Sequence, residues 1–211
     1  MRLQKVGILL QGNSLKKFDE EIEKYKGKDI IWASLNHFYI PENILKKIGE
    51  NLQIVYMSSP VRIEQNIEEI HEYLKRMEDN IFITTSKYDN HCIFTGFPLM
   101  QNKVVIQDLG IGFNSMMALI VSLDKLGYRE AYLFGADGGS GEKDVYYDQK
   151  KFKLDPNTTS FESRRRTVDM DTKVLNQVYP ILHPYWNMHI KVYNTNPKSK
   201  LTCFPYKEMK V

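Results

Sequence analysis

The chain has 211 residues, 42% hydrophobic, 26% charged and 12% aromatic, which is long enough for one domain with a real core and argues against disorder. Its 29 lysines and arginines face 26 aspartates and glutamates, for a net charge of only +3, and so lack the imbalance of a nucleic-acid binder. Cys92 and Cys203 are its only cysteines; they are too few for a disulfide framework and lack zinc-site spacing, so a reducing cytoplasm is expected.

The first apolar run, Val6 to Leu10, is too short for a signal peptide or a membrane span. It reads instead as a strand buried on both faces of a parallel sheet. Gln11-Gly12-Asn13-Ser14-Leu15 follows as a turn into a capped helix. Asp29 to Ser34 is the second strand, leading into Leu35-Asn36-His37-Phe38-Tyr39, and Leu52 to Met57 is the third, leading into Ser58-Ser59-Pro60. Ile63, Ile67, Ile70 and Leu74 recur at helical spacing between charges, which predicts an amphipathic helix over 63–77. Asn80 to Thr85 is another strand, and the weak periodicity of 87–112 suggests loops and short strands.

Asn114 to Leu126 is apolar on several faces, which suits a buried helix closed by Gly127. Glu130 to Gly135 is a strand that runs into Ala136-Asp137-Gly138-Gly139. The polar and aromatic stretch 140–166 reads as a lid or loop insertion. Asp169 to Tyr179 resumes as helix, and Ile190 to Asn194 is the last strand. Strands alternating with helices predict one Rossmann-like α/β domain with a mostly parallel sheet and helices on both faces. In such folds ligands bind outside the carboxyl ends of the strands.

Candidate site residues therefore come from the strand ends. Gly12, Asn13 and Ser14 offer backbone N–H groups to a phosphate, with an ordinary capped turn as the alternative. Asn36 has the donor and acceptor pair that reads a base or ribose, and His37 is a candidate acid or base. Asp137 follows an apolar strand and precedes glycines, so it is a candidate to ligate Mg²⁺, orient a hydroxyl or cap the next element. Arg164, Arg165 and Arg166 could clamp a leaving phosphate, and Tyr146 and Tyr147 could close over the same site. His91, His183 and His189 have no metal-ligand spacing, and no Gly-x-Ser-x-Gly elbow is present.

Taken in order, these segments resemble small bacterial sialyltransferases and the superfamily of the archaeal hydroxymethylpterin pyrophosphokinase. The resemblance rests on Gly12-Asn13-Ser14-Leu15, Asn36-His37-Phe38-Tyr39, Asn114-Ser115, Leu126-Gly127-Tyr128-Arg129-Glu130, Gly135-Ala136-Asp137, Asp171-Thr172-Lys173-Val174-Leu175 and Pro197-Lys198-Ser199. It implies a transferase with a nucleotide or nucleotide-sugar donor, CMP-linked by analogy, and a small-molecule or glycan acceptor. By the same resemblance Gly12, Asn13 and Ser14 meet phosphate and ribose, Asn36 the nucleotide, Asn114 and Ser115 the donor, Tyr146 or Tyr147 the leaving phosphate, and Ser199 the base pocket. Arg166 stands where the sialyltransferases carry a general-base histidine, and Met57-Ser58-Ser59-Pro60 stands where the pterin kinases carry acids. A Mg²⁺-dependent pyrophosphokinase and an inactive nucleotide-binding scaffold are the alternative expectations. No nucleic-acid partner is expected, and self-association is left open.

Overall fold

Both-face burial dictates how the strands of this chain look. In the computed structural model Val6 and Ile8 enter one core and Leu9 the other, so β1 (Lys5–Leu9) has almost no polar position. The described residues are 5–26, 28–35, 44, 47–48, 52–57, 63, 67–68, 70, 72, 81–84, 104–106, 114–139 and 161–210, with backbone alone for 19, 82, 84, 104–106 and 161–165. They contain β2 (Ile31–Leu35), β3 (Leu52–Tyr56), β4 (Ile81–Thr84), β5 (Val104–Ile106), β6 (Glu130–Phe134) and β7 (Lys191–Asn194). All pairings are parallel, and the order is β5-β4-β3-β2-β1-β6-β7. The architecture is thus a doubly wound, Rossmann-like α/β sheet, as the alternation of elements predicts.

One face is covered by α1 (Leu15–Glu21), its 3₁₀ continuation Ile22–Tyr25, and helical residues that include Ile44, Ile48, Ile63 and Ile70. Phe18, Tyr25, Trp32 and Phe134 form an aromatic cluster there, with ring centroids from 4.7 Å (Phe18–Phe134) to 5.8 Å (Phe18–Tyr25). Gly7 makes room for it: a Cβ at that position would lie 2.2 Å from Cζ3 of Trp32.

The opposite face carries α2 (Ser115–Lys125) and α3 (Phe161–Tyr185). The path between β5, at one edge, and β6, beyond β1, contains α2, whose residues Met116 to Leu123 are all buried. That crossing explains why its sequence is apolar on several sides. The helix starts at Asn114, whose side chain accepts from the Met116 N–H at 2.8 Å. It stops at Gly127, where φ is +94° and Tyr128 N–H closes back on the Leu123 carbonyl at 3.0 Å.

The last helix departs from its expected bounds at both ends. Residues 161–166 already belong to α3, so the polar segment read as 140–166 ends sooner than expected; residues 140–160 lie outside the described ones. At its far end α3 runs past Tyr179, through Pro180 and Pro184, to Tyr185. Each proline removes one helical N–H, yet both are exposed, so water can meet the carbonyls they leave open. Leu182 and Trp186 pack on the core and hold the extension in place. Asp124 then sets the start of β7, its Oδ1 accepting from His189 N–H at 3.0 Å and Ile190 N–H at 2.8 Å.

Candidate functional site

The strand order reverses between β1 and β6: the chain proceeds from β1 toward β5 on one side and places β6 and β7 on the other. Such a reversal opens a crevice outside the carboxyl ends of the two central strands, which is where ligands bind in doubly wound sheets. Three turns meet at it, 10–14 after β1, 135–139 after β6 and 195–200 after β7.

The first two turns touch through glycines. Gly12 N–H donates to the Gly135 carbonyl at 2.8 Å, and a Cβ on Gly12 would lie 2.4 Å from that oxygen and 2.7 Å from Oδ2 of Asp137. Gly135 has φ +74°, and a Cβ there would lie 2.4 Å from the Leu10 carbonyl oxygen. No side chain fits either place, so the two strand ends stay in backbone contact.

Asp137 joins all three turns. It is 8% exposed, and its Oδ2 accepts from the Ser14 N–H at 2.9 Å. Its Oδ1 accepts from the Ser14 hydroxyl and, at 2.9 Å, from Nδ2 of Asn196. The Lys200 N–H donates to the Asp137 carbonyl at 3.0 Å. One residue earlier, the Ala136 carbonyl accepts from Nδ2 of Asn194 at 2.9 Å and from the Ser199 hydroxyl at 2.6 Å. Asn196 is itself fixed, donating its N–H to Oδ1 of Asn194 at 2.9 Å and accepting Lys198 N–H at 3.0 Å.

This network changes what the first turn offers a ligand. Besides Gly12 and Ser14, the N–H groups of Leu15, Lys16 and Lys17 donate to the carbonyls of Gly12, Asn13 and Ser14 at 3.0, 3.2 and 3.1 Å. Of the amides expected to cradle a phosphate, those of Gly12 and Ser14 are engaged inside the chain, the latter by a carboxylate. An anion is therefore better received beside the turn than on it.

Beside it lies an open cleft along α1. Ser14, Gly135, Thr195, Asn196 and Pro197 line it, together with the buried Phe18, Tyr25, Phe134 and Met209. Lys17, Glu21, Lys24 and Glu208 complete the lining. Lys17 lies 3.6 Å from Glu21, and Lys24 donates to the same carboxylate. The Lys24 hydrogen bond is the main reason that the Glu21 carboxyl sits below its ordinary range. Burial raises the Tyr25 hydroxyl, which therefore stays neutral at physiological pH.

The remaining candidates fall elsewhere. Asn114 caps α2, and Ser115 is that helix's first residue. Arg166 is exposed, and helical spacing sets it on the side of α3 away from Thr172, Leu175 and Tyr179. Asn36, His37, Tyr146 and Tyr147 lie outside the described residues. Among the described residues no group of three or more His, Cys, Asp or Glu side chains could hold a metal ion, and no helix is long and apolar enough to cross a membrane.

Reading by motif missed Asn196, Thr195 and the two lysines. A signal for the lysines exists: Lys17-Phe18 and Lys24-Tyr25 are two cation–aromatic pairs seven residues apart, two turns along one helical face. Comparison with family models, with curated proteins and with solved structures finds no match to this chain.

Proposed function

We propose that this protein binds a nucleotide, or the nucleotide part of a sugar donor, in the cleft beside the β1–β6 reversal, and transfers the donor's glycosyl group to a small-molecule or glycan acceptor. The observation that carries the reading is the cleft itself. Polar side chains and two lysines line it at the switch point of a parallel sheet, and they suit the anionic part of a nucleotide.

Of the two lysines that line the cleft, Lys17 is the nearer in sequence to Ser14, and Lys24 follows about two turns further along. The phosphate belongs at the Lys17 end, where Asn196 and Thr195 add polar groups. The Lys17–Glu21 pair is exposed on both sides, so turning the ammonium toward a phosphate costs little. The base then lies further along α1, toward Tyr25. In glycosyl transfer the bond from the anomeric carbon to the donor phosphate breaks as the acceptor oxygen bonds to that carbon. Charge accumulates on the departing phosphate, and a cation placed there lowers the barrier. Asp137 already accepts three hydrogen bonds, so it acts as the brace of the site, and His37 is the proposed general base.

Calorimetric titration with CMP, UDP and ATP tests the binding step, and chromatography of CMP- and UDP-sugars with and without acceptor tests the transfer. Binding of at least one nucleotide is expected, weakened at least fivefold by Lys17→Ala and by Asn196→Ala. No heat from any of the three at millimolar concentration would sink the reading. Binding without turnover would identify an inactive nucleotide binder, and Mg²⁺-dependent ATP consumption with a pterin would identify a pyrophosphokinase.

A further inference from the structure

The two sides of α3 differ in an unexpected way. Thr172, Leu175 and Tyr179 face inward and are buried, and Asp169 approaches the turn after β6, where a Cβ on Gly139 would lie 1.8 Å from its Oδ1. The opposite side should be polar on an amphipathic helix. It carries Met170, Val174, Ile181 and Tyr185, which are 62%, 39%, 68% and 80% exposed. At 100° per residue these four fall within a 60° arc. From Val174 to Tyr185 the helix contains no Asp, Glu, Lys or Arg at all, and depletion of charge is the compositional mark of an interface core.

We infer that this face pairs with the same face of a second copy of the chain, the two α3 helices running antiparallel about a twofold axis beside Gln177 and Val178. The spacing carries the inference. A twofold interface must be self-complementary, with residue i on j and j on i. In an antiparallel helix pair the paired residue numbers then share one sum. Met170 with Tyr185 and Val174 with Ile181 both add to 355, so one axis matches all four exposed apolar side chains at once. The charges choose the same direction. Antiparallel pairing brings the exposed Arg166, one turn before Met170, to the carboxyl end of the partner's helix, where a cation is favoured. Parallel pairing would set Arg166 on Arg166 and Lys173 on Lys173.

The area suffices for a weak dimer. With large side chains carrying on the order of 200 Å² each, the four offer roughly 500 Å² per protomer and about 1,000 Å² per pair, near the lower bound of specific interfaces. The inner side of the same helix touches the turn beside Asp137, so the interface lies one helix thickness from the candidate site.

Sedimentation velocity of the full chain from about 1 to 200 µM is the test, in a range suited to a small interface. The wild-type chain is expected to shift toward dimer, and Ile181→Asp to raise the dissociation constant at least tenfold with an unchanged circular dichroism spectrum. Met170→Glu is an independent second disruption, and Val178→Cys, beside the axis, is expected to cross-link to its partner faster than Met170→Cys. A chain that stays monomeric at 200 µM overturns the inference. So does a dimer that survives both Ile181→Asp and Met170→Glu.

Discussion

Replacing Asp137 with asparagine changes one atom of the side chain and none of its shape, yet it should destabilise the fold as a charge-to-polar swap on the surface would not. The carboxylate receives donors on both oxygens: Ser14 N–H on Oδ2, and the Ser14 hydroxyl with Nδ2 of Asn196 on Oδ1. A carboxamide has one oxygen and one NH₂. With the NH₂ at the Oδ2 position it faces the Ser14 N–H; with the NH₂ at Oδ1 it faces the Asn196 amide. Either way a donor points at a donor in a largely buried place. A buried group left unsatisfied costs about 1–3 kcal/mol, and hydrogen bonds to a charged acceptor are worth about 1.5–3 kcal/mol each. Release of the buried carboxylate offsets part of this, so we expect Asp137→Asn to cost about 2–3 kcal/mol and Asp137→Ala about 2–4 kcal/mol. Ser14→Ala, which removes only the hydroxyl, should cost about 1 kcal/mol and couple to Asp137→Ala by roughly 1 kcal/mol in a double-mutant cycle. Urea unfolding followed by circular dichroism gives each value, with an unchanged denaturant slope as the control. An Asp137→Asn variant within about 0.5 kcal/mol of wild type, the usual range of a neutral surface change, would show that the carboxylate does not brace the three turns.

Ser34 is 1% exposed and its hydroxyl has no hydrogen-bond partner, so Ser34→Ala should leave stability unchanged or raise it by up to about 1 kcal/mol; a loss above that in the same urea assay refutes the reading. Burial pushes the Cys203 thiol up to about 11 from an ordinary value of 9.0. In a Cys92→Ser background its alkylation by iodoacetamide at pH 8 should be about a hundredfold slower than that of free cysteine, because the nucleophile is the thiolate. The folded thiol keeps its proton where the unfolded one has lost it. Its contribution to stability is therefore complete below pH 9 and disappears as the pH rises from 9 to 11. A melting temperature that stays flat across that window contradicts this.

How far the sequence discloses the molecule depends on how local each signal is. Val6 to Leu9, Ile54 to Tyr56 and Ala131 to Phe134 are continuous apolar runs because a parallel strand is buried on both faces, so β1, β3 and β6 are legible within one residue or two. β5 is not, since Val104–Ile106 is three residues inside a stretch of weak periodicity. The end of α3 misleads because Pro180 and Pro184 read as helix stops, and only the packing of Leu182 and Trp186 overrides them. Strand order is carried by crossovers that leave little trace in composition. Ser14 and Asp137 each look like strand-end residues, but 123 positions separate them, and their union follows only from β1 lying beside β6. Asn196 depends on one further neighbour, β7.

That same union decides where charge can go in the site. Within the turn, the anion closest to the Ser14 N–H is the protein's own Asp137, at 2.9 Å, so a phosphate set there would meet a carboxylate at near contact. Two such charges 4 Å apart repel by about 4 kcal/mol at an effective dielectric constant of 20, more than a hydrogen bond to that amide returns. In the proposed complex the phosphate is better placed when moved outward by one side-chain length, where Lys17 replaces the backbone as its partner. A flexible, exposed ammonium binds more weakly than a rigid cradle of amides, and its attraction is screened by salt. Nucleotide affinity should therefore fall several-fold between 50 and 500 mM NaCl in the wild-type chain and be nearly flat in Lys17→Ala, by calorimetry at fixed pH. An equal salt dependence in both chains would mean that the phosphate is held elsewhere.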